Sequence, residues 1–261
     1  MLLTNKNAVI YGAGGQVGSA VARVFAQAGA KVFLAGQTIQ KLERVAAEIR
    51  SAGGYAEFEK VNALDREAVE SHMRSILENH NKIDISFNLI GLEDEQGFPL
   101  VDSHADQFLL PVHRALKSQF LTATSAVRAM ALNGGGVILM LSANAAKKPY
   151  ENTVGFGVAC AAIEALCRQL GVESGKHGVR VVCLRSAGSP DAAGVKEVFE
   201  KHAGLLGITR EEFEKQFSQR TMLRHLPTLD QVAQVAVIMA SGHAAPITGA
   251  VINVTCGELA D

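Results

Sequence analysis

The chain has 261 residues, 25 lysines and arginines against 26 acids, a formal net charge of −1 and 48% hydrophobic residues. That apolar fraction excludes a disordered chain, and the length suits one large domain with a well-buried core. With no basic excess, a nucleic-acid or anionic-membrane surface is not expected.

Read in order, short apolar runs alternate with longer amphipathic segments. The pattern predicts a buried strand over 8–11, a glycine turn and a helix over 17–28. The next strand spans 31–35, and the helix over 40–51 puts Leu42, Val45, Ala46 and Ile49 on one face. A third strand covers 56–61. Asp65 is placed to cap a helix running to about residue 79, with Val69, Met73, Ile76 and Leu77 inward. Strands follow over 83–89, 137–142, 179–184 and 250–254, with long helical stretches between them.

Strands alternating with helices predict an α/β fold: a doubly wound parallel sheet of about seven strands, the Rossmann type, in a single domain over 1–261. Its least regular parts are 91–104 and 186–220. Both follow strand C-termini, where open α/β sheets bind ligands. The stretch 194–220 is amphipathic and helical, with Phe199, Leu205, Leu206, Phe213 and Phe217 among its apolar residues.

Cys160, Cys167, Cys183 and Cys256 form no C-x-x-C pair and have no spaced histidine cluster. Buried reduced thiols are expected, and no metal site. The first residues lack a basic stretch followed by a long apolar run, and no uncharged apolar stretch reaches about 18 residues. The expectation is a soluble, cytoplasmic protein without a membrane span.

The strongest local signal is Tyr11-Gly12-Ala13-Gly14-Gly15-Gln16-Val17-Gly18-Ser19, between the first strand and its helix. Glycines there let backbone N–H groups approach a pyrophosphate, and the helix N-terminus adds partial positive charge. A tight turn without a ligand uses the same residues. Asn88-Leu89-Ile90-Gly91 follows the fourth strand, Asn62-Ala63 the third, and Ile247-Thr248-Gly249 precedes the last. With the small-residue helix that begins at Phe156, these segments resemble the short-chain dehydrogenase/reductase family over nearly the whole chain. The spacing of Gly12, Gly15 and Gly18 is similar to that family's extended and atypical branches, whereas its compact branch has a glycine where Gln16 stands.

The resemblance implies a nicotinamide dinucleotide held by Gly12, Gly15, Gln16, Val17, Gly18, Gln37, Thr38, Asn62, Ala63, Asn88 and Gly91. No acid follows the second strand to hold the ribose hydroxyls of NAD, and no arginine stands at Gln37. Gln37 and Thr38 can donate to a 2′-phosphate, and Lys41 lies one turn on. NADP is therefore preferred over NAD.

The resemblance also implies a tyrosine proton carrier, a lysine four residues later on the same helix face, a serine and an asparagine. Those positions read Phe156, Cys160, Ala143 and Ala115. A one-residue loop difference would put Ser142 in the serine role, and a different register on the preceding helix would put His113 in the asparagine role. Tyr150, in the loop before Phe156, is a further candidate acid. Lys147 and Lys148 form a basic turn able to meet an acidic group. Two functions stay open. One is an NADP(H)-binding oxidoreductase with a non-standard proton donor, acting on a small or apolar carbonyl or enone. The other is a catalytically silent member that binds nucleotide or a partner subunit. Family members commonly pair through long helices like the one at Phe156, implying a homodimer or homotetramer.

Overall fold

The structure, a computed structural model, describes residues 1–260. Seven parallel strands form one sheet: β1 (Asn7–Tyr11), β2 (Lys31–Gly36), β3 (Tyr55–Lys60), β4 (Ile85–Asn88), β5 (Gly136–Ala143), β6 (Val179–Ser186) and β7 (Ala250–Val254). Their order is β3-β2-β1-β4-β5-β6-β7. The predicted doubly wound sheet is thus present. β1, β4 and β6 are buried on both faces, which accounts for their continuous apolar runs.

Helices α1 (Gln16–Gln27), α2 (Ile39–Ser51) and α8 (Leu229–Ala240) cover one face. Helices α3 (Arg66–His80), α4 (Ala105–Ala131) and α5 (Phe156–Ser174) cover the other. Asp65 caps α3 as expected, its carboxylate accepting from the backbone N–H groups of Glu67 and Ala68. The fourth strand begins two residues later than its apolar run suggests. Asp84 is occupied there: its carboxylate accepts from the backbone of Asn7 and from the Lys6 and Lys82 ammonium groups. Within 186–220 lie α6 (Ala193–Leu206) and α7 (Arg210–Gln219), packed through Phe199, Phe213 and Phe217.

Chain order reverses between β1 and β4, because one connection leads outward to β2 and the other to β5. The loops leaving their C-termini part company and open a crevice at the sheet edge. α5 closes on α4 beside it. A side chain on Gly155 would run into the Phe108 carbonyl, so the small residue there sets how near the two helices come.

Candidate functional site

One cavity of about 820 Å³ runs from the β1–α1 turn to α6 and α7. Gly15, Gln16, Val17 and Gly18 line its first end. The turn needs its outer glycines. Gly12 has φ +74°, and a Cβ there would lie 2.5 Å from the Leu89 carbonyl oxygen. A Cβ on Gly18 would overlap the Gly12 carbonyl. Gly12 itself supports the turn from below and is not on the cavity wall. α1 has no acid in its first turn, so its N-terminal N–H groups present partial positive charge to the crevice. These features fit an anion such as a pyrophosphate. Gln16 adds a link not legible in the motif: its Oε1 accepts from the backbone N–H of Ala193, joining the turn to the start of α6.

At the outer end of the crevice, Gln37, Thr38 and Lys41 are exposed. Thr38 begins α2 without using its side chain as a cap, and α2 has no acid in its first turn. A Cβ on Gly14 would lie 3.1 Å from Lys41 Cβ, so this lysine stands against the glycine turn. Gln37 Nε2 donates to Asn62 Oδ1 at 3.4 Å, pairing two of the expected nucleotide contacts with each other. Ala63 is different: its methyl is buried in the core. Gly91 lies on the cavity wall with open space beside it. Asn88 lines the floor, but its side chain is engaged: Nδ2 donates to Thr122 Oγ1 at 3.1 Å, and Oδ1 accepts from the Ile90 backbone.

Ala143, Phe156 and Cys160 meet on one wall of the cavity. Burial pushes the Cys160 thiol up to about 12, with the charges of Asp94 and Glu164 adding to the rise. A neutral thiol is a poor nucleophile. Of the three catalytic candidates, Ser142 and Tyr150 line the cavity and His113 does not. Ser142 donates to Glu164 Oε1 at 2.8 Å, inside a buried network. There Arg185 holds both Glu164 oxygens at 2.7 and 2.6 Å and donates to Asn253 Oδ1 at 2.9 Å. His113 is exposed on α4, outside the cavity, because the buried face of that helix runs through Ala115, Ser118, Gln119 and Thr122.

Tyr150 does line the cavity, but its hydroxyl donates to Glu258 Oε1 at 2.6 Å. Glu258 has a fully buried side chain and also accepts from Asn144 and from Lys148 at 3.2 Å. Burial, then the bond to Glu258 and its negative charge, holds the Tyr150 phenol well above its ordinary range. It is a poor proton donor in this setting. The polar residues sequence reasoning missed are Glu258, the Glu164–Arg185 pair, and a loop group of Asp94 and Gln96 facing His202. Only the irregular stretch after Gly91 pointed toward the last of these. At the far end, Phe199, Phe213, Phe217 and Tyr150 give the cavity an aromatic wall, with ring centroids 5.3–5.8 Å apart.

Among the described residues, no helix is long and apolar enough to cross a membrane. A family model described as enoyl-(acyl carrier protein) reductase matches residues 12–258. An uncharacterized oxidoreductase of Bacillus subtilis is 28% identical over 99% of this chain and 92% of its own length. The 7α-hydroxysteroid dehydrogenase of Escherichia coli K12 is 26% identical over 98% of this chain and 94% of its own. Among solved structures, the sorbitol-6-phosphate 2-dehydrogenase of Erwinia amylovora superposes with a TM-score of 0.92 at 26% identity, covering 97% of this chain and all of that one. A 7α-hydroxysteroid dehydrogenase complexed with NADH and 7-oxo glycochenodeoxycholic acid gives 0.86 at 26% identity, covering 99% and 96%.

Proposed function

We propose that this chain, which belongs to the short-chain dehydrogenase/reductase family, is an NADP(H)-dependent oxidoreductase that works without the family's serine, tyrosine and lysine. Its substrate is an apolar carbonyl or enone, or the alcohol formed from it. The observation that carries this reading is a single cavity joining an intact glycine turn to an aromatic wall, with Ala143, Phe156 and Cys160 between them. The α1 N-terminus and the turn would hold the pyrophosphate, and Gln37, Thr38 and Lys41 the 2′-phosphate. When bound, the nicotinamide supplies or accepts hydride. The aromatic wall holds the apolar body of the substrate and excludes water from the reacting end. A ring-sized substrate is consistent with the steroid-active relative.

The absence of a carboxylate from the start of α2 supports NADP over NAD. A second reading, a silent member that binds nucleotide or a partner, is favoured by the neutral Cys160 thiol and by the engaged Tyr150 hydroxyl. Either form pairs as a homodimer or homotetramer. Leu109, Leu116 and Phe120 on α4 and Val158 on α5 are exposed apolar residues suited to such contact. Fluorescence titration with NADPH and NADH, followed by absorbance assays on ketones, enones and alcohols, separates the readings. No binding of either nucleotide removes the oxidoreductase; tight binding with no turnover leaves the silent member.

A further inference from the structure

Two carboxylates line the cavity that the family resemblance does not account for, Asp94 and the solvent-exposed Glu151. Asp94 lies three residues beyond Gly91, half-buried on the cavity wall. Its Oδ2 accepts from Gln96 Nε2 at 2.6 Å. Gln96 is buried, and its Oε1 lies 3.1 Å from Nε2 of His202 on α6. The His202 ring in turn stacks on Phe213. A neutral amide, itself held by the cavity roof, therefore orients one oxygen of Asp94 and leaves Oδ1 for a ligand. Asp94 lines the same cavity as Cys160, Ala143 and Phe156, near enough to Cys160 for its charge to bear on that thiol.

The neighbouring acids are engaged elsewhere. Glu93 pairs with Arg114 at 2.8 Å, Glu95 accepts from Gln107 at 2.7 Å, and Glu164 is held by Arg185. Burial and the nearby Lys201 lower the His202 imidazole, which favours its neutral form.

We infer that Asp94 is the catalytic base of this site, accepting a hydrogen bond from a substrate hydroxyl and taking its proton as the alcohol becomes a ketone. The inference rests on the oxidoreductase reading above. The O–H bond breaks toward Asp94 Oδ1, and its electron pair closes the C=O bond. The carbon-bound hydrogen would leave with its pair to a bound oxidised nicotinamide, which would supply the two-electron acceptor. In the reverse direction the protonated Asp94 returns the proton. Gln96 is a positioning residue that keeps Oδ1 aimed at the substrate.

The test uses the full chain saturated with NADP and two probes, 1-tetralol and its methyl ether, which lacks the donor hydroxyl. By calorimetry, Asp94→Asn is expected to weaken 1-tetralol about tenfold, the difference between a charged and a neutral acceptor, while leaving the ether unchanged. Turnover of 1-tetralol is expected to fall roughly 10²–10⁴-fold and to lose the acid limb of its pH profile. Gln96→Leu is expected to give a smaller loss and to keep that limb. If Asp94→Asn retains alcohol affinity and turnover within about threefold, or if the wild type binds neither probe, the assignment fails. NADPH affinity measured in parallel separates the two ideas: no nucleotide binding by the wild type sinks the oxidoreductase reading itself. Intact nucleotide binding beside an indifferent Asp94→Asn sinks only the base.

Discussion

Installing the missing machinery gives the sharpest test of the alignment between this cavity and a working short-chain reductase. In the variant Ala143→Ser/Phe156→Tyr/Cys160→Lys, three residues of one wall change together. Phe156 is only partly buried, so a phenol oxygen at its tip extends toward open volume. Ala143 ends β5 half-buried and accepts one hydroxyl. Cys160 is 2% exposed, and a lysine there overfills its site at a cost of about 1–3 kcal/mol unless the stem turns into the cavity. The charge of Asp94, which already bears on Cys160, gives the new ammonium a counter-ion. A tyrosine acid lowered by a neighbouring cation is worth roughly 10²–10⁴ in rate, or about 3–5 kcal/mol of barrier. Ketone reduction followed by NADPH absorbance is expected to rise by that factor over the wild type. Phe156→Tyr alone is expected to gain much less, because no cation then depresses its phenol. A triple variant that folds, binds NADPH like the wild type and reduces no ketone faster would refute the placement of Phe156 and Cys160 at the reaction centre.

Three further outcomes follow from particular contacts. Glu164→Gln or Arg185→Met, each breaking a buried ion pair, is expected to cost about 3–5 kcal/mol in urea unfolding, and replacing both together with apolar residues less than the sum; single losses below about 1 kcal/mol would contradict a buried pair. Burial holds the His72 imidazole down to about 4, so it stays neutral when folded and takes up a proton on unfolding. Its contribution is complete above its ordinary value of 6.5 and is lost as the pH falls toward 4, amounting to about 3 kcal/mol. His72→Phe is expected to flatten that acid loss when unfolding is compared at pH 7 and pH 4, and an unchanged slope would clear His72 of any part in it. Gln37→Arg is expected to tighten NADPH about 10- to 100-fold without helping NADH, and Gln37→Glu to do the reverse; a nucleotide preference indifferent to both would place the 2′-phosphate elsewhere.

The sheet was legible because its signals are local. Continuous apolar runs at β1 and β6, the four-residue face of α2 and the Asp65 cap depend on neighbours a few residues away. The glycine turn was legible for the same reason, since Gly12 and Gly18 answer to one another across a single turn. The candidate proton carriers have partners that the period of the chain cannot reveal. Ser142 meets Glu164, 22 residues on, and Tyr150 meets Glu258, 108 residues on. The outward position of His113 follows from the phase of α4, which the burial of Ala115 and Ser118 sets.

Sequence by itself determined that this protein is a parallel, doubly wound sheet with a glycine turn at its first strand–helix junction. Hydrophobic period and backbone sterics act within one element, so the order of residues carries them. Only the tertiary structure decided which polar side chains are spent on each other and which still face the cavity. That choice is made where the β4 loop, the α5 entry, α6 and the C-terminal segment converge. A hydrogen bond forms over about 3 Å of space regardless of the length of chain between its partners.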